Sequence, residues 1–146
     1  MTKYPKRYIP KHLSAKDKSY QLRQLNKSKK MYKKGRYFQR PKVKSFRSKP
    51  SRHVENAKEL YKIDSIVPSK NLANATKCSM ETLEKIANKG RGAYYSSGSR
   101  PNQTAESWAI ARLASAITGG NSSIVDYHLL QDGCKNNSKA LKMAKK

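Results

Sequence analysis

Cations crowd one end of this 146-residue chain and leave its middle almost neutral. Residues 1–62 carry 21 Lys and Arg against 3 Asp and Glu, residues 63–133 carry 7 against 6, and residues 134–146 carry 5 against none. Between Asp17 and Glu55 there are 14 cations and no acid. Such a segment repels itself when compact and settles only against a polyanion or an acidic protein surface. Low hydrophobicity with high net charge is also the composition of segments that order only when a partner covers them. The charge therefore divides the chain into a basic extended arm (1–62), a compact domain (63–133) and a basic C-terminal tail (134–146).

The arm has internal punctuation. Proline after Tyr4 and after Ile9 holds the start extended, because a residue before proline avoids the helical region. Ser14 is placed to cap a helix, with Asp17 three residues on. A thin stripe follows through Leu22, Leu25 and Tyr32, with Met31 beside it and Gly35 as a left-handed stop. Residues 36–50 set isolated Phe38, Val43 and Phe46 among Arg, Lys and Pro, and read as an extended strap. Fifteen such residues reach about 50 Å at roughly 3.3–3.6 Å each. Ser51 then starts a second helix carrying Val54, Ala57, Leu60 and Tyr61.

The neutral segment reads as a bundle of three or four helices, which makes the fold class all-α. Pro68-Ser69 opens a short helical turn. Ser79 caps a helix with Met80, Leu83, Ile86 and Ala87 on one face, ending at Gly90. A Gly- and Ser-rich loop follows from Gly90 to Asn102. Thr104 caps the most apolar helix, Ala105 to Ile117, whose alanines allow close approach of neighbours. A last helix is expected from Ile124 to Leu130, with Ser123 and Asp126 at cap spacing, and a frayed turn through Leu141 and Met143.

Chemistry-bearing constellations are sparse. Cys78 and Cys134 form no CxxC unit and pair only if the fold brings their Cα atoms within about 7 Å; otherwise they are buried reduced thiols. His128 and Cys134 have a loose metal-ligand spacing with no second pair to complete it. The loop 90–101 has glycines and hydroxyls suited to an anion but no GK[ST], so it is not a P-loop. Asp126 and His128, two residues apart, point to different helix faces. The pattern predicts no enzyme, no cofactor and no metal. No apolar run approaches the roughly 20 residues that span a bilayer, and residues 1–10 lack the apolar core of a signal peptide.

Two functions fit the arm. Its aromatics are able to anchor in pockets of other subunits while cations answer acidic seams; or they stack on bases while cations neutralise phosphates. The residues expected to meet a partner are Tyr8, Lys29, Lys30, Tyr32, Lys33, Lys34, Arg36, Phe38, Arg40, Lys42, Lys44, Phe46, Arg47 and Tyr61, with Arg91 and Arg100 from the loop.

One string is distinctive: Gly-Arg-Gly-Ala-Tyr-Tyr-Ser-Ser-Gly-Ser-Arg-Pro-Asn-Gln-Thr (90–104), continuing through Ser107-Trp108 and 111–120 to Val125-Asp126-Tyr127-His128. It resembles an uncharacterised small basic domain encoded by large double-stranded DNA viruses of the nucleocytoplasmic type, with related forms in phages. The segments Tyr8-Ile9-Pro10-Lys11 and 40–46 are similar to the leader of that domain in the eukaryotic viruses. The resemblance transfers no catalytic residue and implies a virion or viral-factory protein, assembled in the host cytoplasm or nucleus. The expectation that follows is a minor capsid protein whose arm straps neighbouring major and minor capsid subunits on the inner side of the shell. The alternative is a virion core protein that binds or condenses DNA without sequence preference.

Overall fold

The computed structural model describes residues 4–47 and 52–145 and is all-α. Among the described residues there are eight α-helices: α1 Ala15–Lys33, α2 Arg52–Tyr61, α3 Lys70–Thr76, α4 Met80–Ser96, α5 Ala105–Ile117, α6 Asn121–Val125, α7 Tyr127–Gly133 and α8 Lys139–Ala144. A single 3-10 turn, Lys6–Tyr8, lies between the two N-terminal prolines. None of these helices is long and apolar enough to cross a membrane.

The chain forms two compact units, and their division differs from the one read from charge. The first comprises residues 1–50 and 91–108, the second residues 51–90 and 109–146. The basic segment thus shares a unit with the distinctive 91–104 string. By sequence the first unit carries 20 Lys and Arg against Asp17 and Glu106, net +18, and the second 13 against 7, net +6.

In the second unit the core is conventional. Ala57 and Tyr61 of α2, Ile66, Leu72, Leu83, Ile86, Leu113, Ala114, Ala116, Ile117 and Leu130 are buried together. The C-terminal residues read as a tail join them: Ser138 caps α8 by accepting from the Leu141 amide (3.1 Å), and Ala140 and Leu141 are buried. Cys78 and Cys134 are joined by a disulfide that closes a separation of 56 residues. An antiparallel bridge flanks it, Ser79 N–H donating to Gly133 O (2.8 Å) and Lys135 N–H to Lys77 O (2.9 Å). Of the two states open from the sequence, paired or reduced, the structure has the paired one, because two loop ends distant in sequence meet there.

Helix starts follow their caps. The Oγ of Ser14 accepts from the Asp17 amide (3.1 Å), that of Ser69 from Leu72 (3.2 Å) and that of Ser79 from Thr82 (3.1 Å). Thr104 accepts from the Ser107 amide (3.0 Å) while its own amide donates to Ser107 Oγ (2.9 Å), a reciprocal pair that closes the first turn of α5. The cap expected at Ser51 lies outside the described residues.

Two helix boundaries differ from the sequence expectation for physical reasons. Gly90 does not end α4, which runs on to Ser96. A Cβ at Gly90 would lie 2.7 Å from Ala109 Cα, so this glycine permits a close helix approach and is not a stop. The stop is Gly98, at φ +102°, where a Cβ would press within 2.8 Å of Leu25. The expected helix 124–130 is two short helices broken at Asp126, whose buried carboxylate is held by Arg112 (2.8 and 2.9 Å) and faces Lys89 at 3.9 Å.

Candidate nucleic-acid interface

The first unit is built round α1, the irregular segment 36–47 and the end of α4. Its covered α1 face is Gln21, Leu25 and Ser28, whereas Leu22 is exposed. The apolar stripe expected through Leu22 and Tyr32 is therefore displaced. Polar side chains take its place because each has a fixed partner: Gln21 Nε2 donates to Tyr8 O (3.1 Å), and Ser28 Oγ to Tyr95 O (3.4 Å). Tyr8, Leu13, Leu25, Val43, Tyr94 and Ala105 supply the apolar interior.

Arg40 is the node of this interior, with only 8% of its surface exposed. One guanidinium nitrogen donates to Ser28 Oγ (2.9 Å) and to Tyr94 O (2.7 Å), and the other to Ser99 Oγ (2.7 Å). The guanidinium lies 3.8 Å from the centre of the Tyr94 ring, and the Arg40 amide donates to the Tyr94 phenol (3.0 Å). Tyr94 is in the last turn of α4. The cation therefore caps the carbonyl end of a helix, where the macrodipole is negative. Burial pulls its pKa down, yet a guanidinium stays charged in proteins.

The strap segment is tied to this unit along its length. Val43 N–H donates to Asn102 Oδ1 (2.6 Å) and Val43 O accepts from Asn102 Nδ2 (3.4 Å). Asn102 has φ +64°, a left-handed conformation that asparagine tolerates better than most residues. The Ser45 amide donates to Asp17 Oδ2 (3.0 Å), Ser14 N–H to Ser45 Oγ (3.1 Å), and the Arg47 amide to His12 Nε2 (2.9 Å). Hydrogen bonds from Ser45 hold the Asp17 carboxyl below its ordinary pKa.

The residues expected to meet a partner thus separate. Arg40 is turned inward. Tyr8 is buried, edge-on to Trp108 with centroids 6.0 Å apart. Tyr61 is buried in the second unit, its phenol donating to Ile117 O, and burial pushes its pKa up. Phe38 is half-buried beneath Lys27 at 4.6 Å, and Phe46 is stacked on His12 at 5.5 Å. Lys29 is half-buried and lies 5.8 Å from the Tyr4 ring. Arg91 makes a bidentate pair with Glu106 (2.6 and 3.0 Å), which lowers the Glu106 pKa. Lys30, Lys33, Lys34, Arg36, Lys42, Lys44, Arg47 and Arg100 are exposed.

Sequence reasoning missed the cluster that surrounds Tyr32. Its ring lies 7° from parallel to Tyr95, with centroids 6.2 Å apart. Tyr37 is 5.0 Å from Tyr95 and 6.1 Å from Tyr32. Tyr37 is 70% exposed and Tyr32 37% exposed. The glycines and serines round Tyr94-Tyr95 predict a loop; as part of α4 the pair sends one ring inward and the other to this cluster.

The model of a family of unknown function, DUF5824, matches residues 5–130. The chain belongs to that family. No curated protein and no solved structure matches it. The matched span covers the greater part of each compact unit and includes the basic segment from residue 5 onward.

Proposed function

We propose that this is a non-enzymatic nucleic-acid-binding protein of a large double-stranded DNA virus, acting in the particle on the genome side. The observation that carries the reading is the net +18 of the first unit, set on a scaffold that has its own interior. The aromatics expected to anchor in partner subunits are largely engaged within the protein, whereas eight of the expected cations face solvent. Exposed Lys and Arg release counterions from phosphates and give affinity without sequence preference. The resemblance of residues 90–128 and of the leader to a viral domain supports the setting.

The capsid reading has one observation in its favour. Ile124 and Val125 in the second unit are 74% and 62% exposed, and adjacent exposed aliphatics suit a protein contact. In that reading the basic segment straps major and minor capsid subunits. A mobility shift with a mixed-sequence duplex at physiological salt, run beside co-sedimentation with purified major capsid protein, separates the two. A shift without co-sedimentation supports nucleic-acid binding; co-sedimentation without a shift replaces it with the strap.

A further inference from the structure

From the cluster of Tyr32, Tyr37 and Tyr95 we infer that the first unit carries a stacking platform for unpaired bases, so that its preferred ligand is single-stranded nucleic acid. The inference rests on the nucleic-acid reading and deepens it. Three phenol rings on three segments meet here: Tyr32 in the last turn of α1, Tyr37 just beyond the Gly35 turn, and Tyr95 in the last turns of α4. Each lies 5.0–6.2 Å from the other two. The arrangement is held from beneath. Tyr95 meets Tyr94 edge-on at 5.1 Å, and Tyr94 carries Arg40 on its ring. Gln39 Nε2 donates to the Tyr95 phenol (3.4 Å).

The charge around the rings decides the occupant. Lys33, Lys34 and Arg36 flank Tyr32 and Tyr37 in sequence and are exposed. Among the described residues none of the three has an ion-pair partner. The acid that bears on Tyr95 is Glu106, and Arg91 holds it. An acidic protein loop would satisfy the cations but leave the rings without use. A duplex presents phosphates but keeps its base faces stacked inside. A single strand offers both, phosphates to the cations and a base face to the rings, and such stacking tolerates any sequence. Because the rings are already assembled, little ordering is needed when the strand binds.

The test is fluorescence anisotropy of the full-length protein with a labelled oligothymidylate of about 20 nucleotides, chosen to cover one or two sites of the size single-strand binders use, and with a mixed-sequence duplex of the same length. The expected result is tighter binding of the single strand, weakened on the order of tenfold by Tyr37→Ala and retained by Tyr37→Phe. Duplex affinity should stay unchanged in both variants. The salt slope should be preserved in Tyr37→Ala and reduced in Lys33→Ala/Lys34→Ala. Tyr37 is largely exposed, so its replacement leaves the fold intact, and the wild-type ratio of single-strand to duplex affinity needs no variant. Equal affinity for both forms, insensitive to Tyr37→Ala, overturns the platform while nucleic-acid binding stands. Binding of neither form removes the parent reading and the platform together. Loss of capsid-protein binding in Tyr37→Ala, with oligonucleotide binding unchanged, assigns the rings to a protein partner and also overturns it.

Discussion

Replacing Arg40 by Ala should unfold the first unit's interior more readily, because this one side chain joins α1, the strap segment and the end of α4. Its guanidinium makes three side-chain hydrogen bonds, to Ser28, Tyr94 O and Ser99, and stacks on Tyr94. Hydrogen bonds from a charged donor contribute about 1.5–3 kcal/mol each, and a desolvated cation–π contact about 2 kcal/mol. Against these stands the desolvation of a guanidinium, several kcal/mol for a buried ion. Both serine hydroxyls retain other acceptors, Tyr95 O and Arg100 O, so their loss is mild. The Tyr94 carbonyl at the helix end is the group left stranded. The balance is a destabilisation of about 2–4 kcal/mol. Arg40→Lys should recover less than half, since one ammonium cannot bridge both sides of the site or stack as a plane. Urea unfolding followed by the near-ultraviolet dichroism of the tyrosines measures the change, and hydrogen exchange of the amides of 91–99 locates it. An unchanged midpoint in Arg40→Ala, or full recovery with Lys, refutes the assignment of Arg40 as the organising contact.

Three further outcomes follow from the packing. Reducing the Cys78–Cys134 disulfide, which spans 56 residues, should cost the second unit on the order of 4 kcal/mol, read as a lower thermal midpoint in reductant that is absent in Cys78→Ser/Cys134→Ser. Gly90→Ala forces a Cβ to within 2.7 Å of Ala109 Cα and should destabilise by about 1–3 kcal/mol. Gly92→Ala meets nothing closer than 3.8 Å and should stabilise by about 0.5–1 kcal/mol; chemical denaturation of the pair compares the signs. The Asp17 carboxyl has a folded pKa below its unfolded one. Its contribution is therefore present above the unfolded pKa near about 3.9 and is lost as the pH falls through the lower folded value. Exchange of the Ser45 amide should accelerate below that window in the wild type, relative to a reference amide, and should be fast throughout in Asp17→Ala, which removes the acceptor.

Much of the helical order was legible because caps act locally. Ser14, Ser79, Thr104 and the Gly35 stop needed only their own neighbours in sequence, and each helix began or ended where they placed it. The misread positions depend on contacts distant along the chain. Gly90 looks like a stop until Ala109 lies against it. Gln21 and Ser28 look solvent-facing until Tyr8 O and Tyr95 O are in place. Arg40 looked like one more surface cation in a run of them, although its role is set by Tyr94 and Ser99, more than fifty residues away. Composition likewise hid the first unit's fold, since an interior that mixes Gln, Ser and Arg with six apolar side chains lowers the hydrophobicity by which cores are recognised. The candidate site was half visible: its cations stood in the sequence, but the meeting of Tyr32, Tyr37 and Tyr95 required the fold.

If the exposed cations of the first unit serve nucleic acid, duplex binding must weaken steeply with salt. With six or more of the exposed cations on phosphates, the log–log plot of affinity against salt should fall with a slope of about −5 or steeper. A slope near zero, or no binding even at low salt, contradicts the account.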